Sequence, residues 1–107
     1  MIAFANCKIN LGLRILRRRP DGYHDIETVM VPVPWCDIVE ANPAETGADS
    51  LAVTGNRVDC PVEKNLAMRA LTALRKVASF PATDLRLHKI VPDGAGLGGG
   101  SADAAFT

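Results

Sequence analysis

The stretch that most constrains this chain runs from Pro92 to Ala105 and reads Pro-Asp-Gly-Ala-Gly-Leu-Gly-Gly-Gly-Ser-Ala-Asp-Ala-Ala. Five of the nine glycines fall between Gly94 and Gly100. Without a Cβ, glycine reaches positive φ easily, so backbone N–H groups in such a run can converge on one point. The small residues from Ser101 to Ala105 read as the first turn of a helix. A glycine loop that feeds a helix N-terminus is an anion site, because unpaired N–H groups and the positive end of the helix dipole face the same place. The stretch therefore predicts a phosphate cradle, most naturally for a nucleotide.

Composition narrows the setting. The 107 residues suffice for one small domain with a limited core. Twelve basic residues balance twelve acidic ones, so nothing draws the chain to nucleic acid or to an anionic membrane. Cys7, Cys36 and Cys60 are odd in number and lack metal-ligand spacing, which predicts buried free thiols and a reduced, cytoplasmic setting. The first sixteen residues are broken by Lys8, Asn10 and Arg14 and do not form a signal peptide. No stretch is long enough to span a bilayer as a helix. Thr107 stands barely two turns into the helix that the glycine loop launches. The expectation is one domain over residues 1–107, incomplete at its C-terminus.

Along the chain, Ile9, Leu11, Leu13 and Ile15 alternate with Lys8, Asn10, Gly12 and Arg14. That is the period of a strand with one apolar face, with Lys8 and Asn10 together on the other. Arg17-Arg18-Arg19 leads into the turn Pro20-Asp21-Gly22, and Tyr23-His24 follows it. Residues 28–33 read as a second strand blunted by Pro32 and Pro34, residues 37–41 as a third, residues 42–50 as a polar loop and residues 51–54 as a short strand. Residues 65–79 change period: Leu66, Ala70, Leu74, Val77 and Ala78 recur at helical spacing, Asn65 is placed to cap, and Pro81 follows the end. Residues 85–91 form a last strand, with Arg86 and His88 on its outer face. Strands, a helix, a strand and a helix start make an α+β domain.

The kind of loop is open on pattern alone. A Walker loop needs a lysine before Ser101, and there is none. Gly94, Gly96 and Gly99 do match G-x-G-x-x-G, the turn of an NAD-binding oxidoreductase domain. Against that reading, the preceding strand carries Arg86, His88 and Lys89, whereas a Rossmann strand is buried on both faces. The turn also follows a sheet and a helix instead of opening the domain.

Three segments together resemble the GHMP kinases, a family of small-molecule kinases. The loop Gly96-Leu97-Gly98-Gly99-Gly100-Ser101, preceded by Pro92, fits their phosphate loop. Cys7-Lys8-Ile9-Asn10-Leu11 resembles the N-terminal strand of one branch, with Cys7 where alanine is usual, and Asp21-Gly22-Tyr23-His24 resembles its turn. Asn65-Leu66 matches the start of the helix. The segments are short, but they keep their order and spacing from residue 7 to residue 105.

The resemblance implies the GHMP kinase N-terminal domain, which is similar to the second domain of ribosomal protein S5, here cut off after the phosphate loop. It implies ATP as co-substrate, Mg²⁺ with it, and a small-molecule acceptor carrying a CDP group. The branch phosphorylates the 2-hydroxyl of a CDP-linked methylerythritol in non-mevalonate isoprenoid biosynthesis. By the same resemblance Lys8 is the catalytic cation, and Asn10, Tyr23 and His24 hold the acceptor. ATP is held by Asn65, Lys89, Pro92, Gly94, Ala95, Gly96, Leu97, Gly98, Gly99, Gly100 and Ser101, with no metal ligand assigned.

Some features depart from the family. Ala102 replaces a serine common there, and the family's catalytic aspartate, in a Gly-Ala-Asp-Val-Pro stretch, has no counterpart here. The chain alone is therefore expected to lack turnover and to self-associate. Arg17 to Arg19 read as a solvated turn, and the cysteines, Met30, Met68 and Trp35 as packing or loop residues. The competing readings are another GHMP kinase, an NAD-binding domain, or a module with no retained binding.

Overall fold

The alternation at the N-terminus does give a strand, but a much longer one than residues 9–15. In a computed structural model of residues Met1–Thr107, β1 covers Ile2–Arg18 and β2 covers His24–Pro43. The turn between them closes with Gly22 at φ 88° and with the Tyr23 amide donating to Asp21 Oδ1 at 3.0 Å. Then come β3 (Ser50–Gly55), a 3₁₀ turn (Val62–Lys64), α1 (Leu66–Leu74), β4 (Thr83–Lys89) and α2 (Gly99–Phe106). The sheet order is β1-β2-β4-β3, with β2 antiparallel to both neighbours and β3 parallel to β4.

The two strands read at 28–33 and 37–41 are one, β2. Its pairing with β4 is confined to Ile38–Pro43, so the stretch before that has an open edge on which proline removes no shared hydrogen bond. Pro34 and Trp35 bulge out between the pairs Asn6–Cys36 and Cys7–Val33. Beyond Cys7 the β1–β2 hairpin runs on as a two-stranded arm, and the molecule measures 47 × 31 × 23 Å.

A bulge also revises the faces of β1. Residues Ile9 to Leu11 pair in step with Val31 to Val29, but Arg14 pairs with Glu27, so Gly12 and Leu13 together oppose Thr28. Gly12 takes φ 66°, as this kind of bulge requires. One extra residue exchanges the faces, so Leu13 and Ile15 join the Lys8 and Asn10 side instead of continuing the face of Ile9 and Leu11. None of these apolar residues is buried.

The core lies between the sheet's other end and the two helices. Ala5, Val39 and Leu87 form its centre, with Ala102 of α2 and Leu51 of β3 packed on it. In α1 the buried residues are Ala67 and Leu71, whereas Leu66, Leu74 and Val77 are 40–83% exposed, so the helix is turned by about one residue from its apolar stripe. It is also shorter than residues 65–79. After Leu74 the chain tightens into i→i−3 bonds, with Lys76 N donating to Ala73 O and Val77 N to Leu74 O. Arg75 fixes this end by binding Asp49 and by donating to the carbonyls of Phe80 (2.9 Å) and Pro81 (2.8 Å). Its guanidinium holds the Asp49 carboxyl below the usual carboxylate range. Among the thiols, Cys7 is buried, Cys36 is half-buried and Cys60 is exposed, so the expectation of buried thiols holds in full only at Cys7.

Candidate functional site

The glycines of the loop serve two different needs. Gly94, Gly96 and Gly98 have φ of 69°, 75° and 71°, alternating with Ala95 and Leu97 in ordinary conformations. Glycines in the left-handed region between residues of negative φ can turn successive amides toward one side. Gly99 and Gly100 have no such φ; what they lack is space. A Cβ on Gly99 would stand 3.1 Å from Val91 Cγ1 and 3.3 Å from both Asp37 Oδ2 and Lys89 Nζ. One on Gly100 would stand 3.3 Å from Leu66 Cδ1. α2 begins at Gly99, earlier than Ser101, and the amides of Gly99, Gly100 and Ser101 find no acceptor within the chain. Residues Pro92 to Ser101 and Leu66 enclose a cavity of about 210 Å³ beside them. A ligand with anionic oxygens fits that donor set.

Beneath the loop lies a buried ion cluster that the sequence pattern does not announce. Lys89 Nζ donates to Asp37 Oδ2 and, at 2.8 Å, to Asp103 Oδ2. All three residues are at most 2% exposed. Asp37 Oδ1 also accepts the amides of Ile90 (2.6 Å) and Val91 (2.8 Å), fixing the chain as it leaves β4 for the loop. Burial works against the charge on Asp37, but bonds from Lys89 and from those two amides outweigh it and hold the carboxyl below its usual range. Burial likewise opposes the charge on Lys89, and its two carboxylate partners more than compensate, raising its pKa. Asp103 differs. Burial, with Asp37 as a like-charged neighbour, outweighs Lys89 and pushes its carboxyl up to about 6. Its Oδ1 is buried without a hydrogen-bond partner.

Lys89, expected to touch ATP, thus points its ammonium at two carboxylates because the β4 face that carries it is the core face. It underlies the loop. Asn65 caps α1, its side chain accepting the Ala67 amide at 3.0 Å, and with Leu66, Lys89 and Asp103 it borders a cavity of about 190 Å³.

On the other side of the loop, Lys8 reaches across from the edge strand. Its amide donates to Leu97 O (2.9 Å), and its ammonium donates to Gly96 O and to Asn10 Oδ1 (both 2.6 Å). The Lys8 stem fills the space a Cβ on Gly98 would need, 3.0 Å from Cε. Lys8 and Asn10 open onto a cavity of about 500 Å³ lined also by Ile9, Leu13, Ile15, His24, Ile26 and Ala95 to Leu97. His24 is therefore brought to the Lys8 side. Tyr23 is 74% exposed and lines none of these cavities. Leu13 and Ile15 join that lining through the Gly12 bulge, which period-two reading could not foresee. No helix is long and apolar enough to cross a membrane.

Residues 65–107 match the family model described as the GHMP kinases N terminal domain. The chain is 49% identical over 106 residues to a 4-diphosphocytidyl-2-C-methyl-D-erythritol kinase of Porphyromonas gingivalis, covering 99% of this chain and 39% of that protein. It is 50% identical over 106 residues to the protein of the same name from Parabacteroides distasonis, covering 99% and 38%. A crystal structure of 4-(cytidine 5'-diphospho)-2C-methyl-D-erythritol kinase superposes over 99% of this chain and 37% of its own, with a TM-score of 0.76 at 36% identity. The chain thus spans about two fifths of the length of these relatives.

Proposed function

We propose, for a chain whose fold is that of the GHMP kinase N-terminal domain, that the protein transfers the terminal phosphoryl group of ATP to the 2-hydroxyl of 4-diphosphocytidyl-2-C-methyl-D-erythritol. The observation that carries this reading is the position of Lys8. Its ammonium bonds to the glycine loop through Gly96 O and to Asn10 at the mouth of the larger cavity. One cation thus stands where a phosphate cradle meets a second ligand space.

In this role the loop amides take the phosphates, and the small cavity bordered by Asn65 and Leu66 takes the nucleoside end of ATP. The acceptor lies along Leu13, Ile15 and Ile26, its hydroxyl near Asn10 and its cytidine end toward His24; the exposed Tyr23, next in the chain, would reach the cytidine only from outside this cavity. Lys8 stabilises the charge that builds on the moving phosphoryl group, the usual way proteins accelerate phosphoryl transfer. The nucleotide brings Mg²⁺ with its phosphates. No group of three His, Cys, Asp or Glu side chains converges in this chain, so no ligand is assigned to that ion. The base that takes the hydroxyl proton is not among these residues either, and the 107-residue chain by itself is inactive in this reading.

The test is ATP-dependent phosphorylation of 4-diphosphocytidyl-2-C-methyl-D-erythritol by the full-length protein, with the product identified by ³¹P NMR. The expected result is a 2-phosphate and ADP, with Lys8→Met lowering kcat by about 10²–10³-fold. Absence of phosphorylation by the folded, full-length protein overturns the reading.

A further inference from the structure

We propose that Asp103 is a positioning residue that sets how strongly the glycine loop holds phosphate, its charge opposing the anion from beneath the cradle. The proposal rests on the phosphate-cradle reading above and deepens it.

The observation is an imbalance in the buried cluster. One ammonium, Lys89, serves two carboxylates, Asp37 and Asp103. Asp37 uses both oxygens: one on Lys89, the other on the Ile90 and Val91 amides. Asp103 uses one, and its second oxygen is sealed in without a donor. Ionised, the cluster carries a net negative charge. It lies directly under Gly99, whose absent Cβ would be 3.3 Å from the Lys89 ammonium and from Asp37 Oδ2. Gly99 is the first residue of the helix whose free amides face the ligand. A buried negative charge near a helix N-terminus counteracts the dipole that draws a phosphate there.

Packing leaves little to screen it. Asp37 faces Asp103 from β2 and Lys89 faces it from β4. β1 brings Ala5 and the Cys7 thiol to that side of the sheet. Lys64, Asp93 and Cys60 border the adjoining cavity. Protonation of Asp103, favoured by the same burial, removes the opposing charge while Asp37 keeps its grip on the loop.

The experiment uses sulfate as the probe, because it does not titrate over the range and so mimics a phosphate of fixed charge. Its dissociation constant for the intact protein is measured by calorimetry at pH 7.5 and pH 5, with the variant Asp103→Asn alongside. The expected result is three- to tenfold tighter binding at pH 5 in the natural sequence. Asp103→Asn should bind that tightly at both pH values, with the difference between them largely abolished. A merely structural Asp103 would give a variant that binds more weakly or with the same pH slope as the natural sequence, and either result overturns the proposal. Should Asp103→Asn not fold, the same titration in a His24→Gln background decides, where a flat profile from pH 7.5 to 5 overturns it and a three- to tenfold gain supports it. Absence of sulfate binding in every protein at both pH values overturns the cradle reading itself, a failure distinct from binding that ignores Asp103.

Discussion

Beneath the glycine loop, three charged side chains are sealed at no more than 2% exposure, while along the hairpin arm Leu11, Leu13, Ile15, Leu16, Val29 and Met30 are each 53–63% exposed. The two regions share strands β1 and β2, yet they are held by different means. At the loop end, Asp37 of β2, Lys89 of β4 and Asp103 of α2 tie three elements to one point, and Gly99 admits no side chain over it. In the arm, two strands pair only with each other, bend at bulges, and carry ion pairs in solvent. The loop's geometry is thus determined by this chain's own packing. The arm takes its shape from backbone irregularities and leaves its apolar residues free for a ligand or a cover.

The largest test of that contrast removes the anchor. Asp37→Ala leaves Lys89 with one partner and the Ile90 and Val91 amides with none. Breaking one member of a buried charged group costs about 3–5 kcal/mol. Urea unfolding followed by circular dichroism should show a loss of that size. A loss below about 1 kcal/mol would put the loop end in the same class as the arm's exposed pairs and break the comparison.

The second test is pH. Asp103 has its carboxyl pushed up to about 6 by burial, above its unfolded value of 3.8. The folded state therefore binds this proton more tightly than the unfolded state, and the charged form is a cost above about pH 6. Stability should rise as pH falls from 7 toward 4.5, by on the order of 2 kcal/mol. Asp37 has the opposite sign. Its carboxyl is held low, so its contribution is present above 3.8 and is lost only as pH falls through the lower folded value. Denaturation midpoints from pH 4.5 to 7.5 should follow this slope in the natural sequence and lose it in Asp103→Asn. A slope that survives in the variant assigns the titration to a group other than Asp103.

The contrast also explains what could be read from the sequence. The cradle was legible because glycine is the one residue that permits alternating positive φ, so Gly94, Gly96 and Gly98 announce their own conformation. The Asn65 cap and the Pro-Asp-Gly turn were legible for the same local reason. The anchor beneath was not, because Asp37, Lys89 and Asp103 come together only through strand pairing and helix packing and share no local spacing. Lys89 is read as an ATP contact only through the family resemblance, and its burial against two carboxylates shows its partners. The arm's faces were misread for a third reason: a bulge at Gly12 changes the period by one residue, and alternation extrapolated through it puts Leu13 and Ile15 on the wrong side.

That bulge is the third test. Gly12 has φ 66° and open space where a Cβ would stand, so Gly12→Ala meets no clash and only backbone strain. The cost of a left-handed conformation for a residue with a Cβ is about 1–2 kcal/mol. In the full-length protein the variant should raise the acceptor's KM through the displaced Leu13 and Ile15 while leaving the KM for ATP within about twofold. Equal changes in both would mean that arm and loop move as one body, which would undo the division between them.

The smallest effect belongs to the arm's ion pairs. Arg17 Nε lies 2.5 Å from Asp25 Oδ2, but the arginine side chain is 77% exposed and Asp25 is also reached by Arg19 at 3.9 Å. Water and salt screen such a pair, and ordering two long side chains costs entropy, so exposed pairs contribute from about 0.2 to 1 kcal/mol. Arg17→Ala should therefore shift the urea midpoint barely, and less still in high salt, with Arg19 left to pair Asp25. A loss comparable to that of Asp37→Ala would show that the arm has an anchor of its own. The same small shift at low and high salt would trace Arg17's contribution to the packing of its aliphatic stem on the strand and not to its charge.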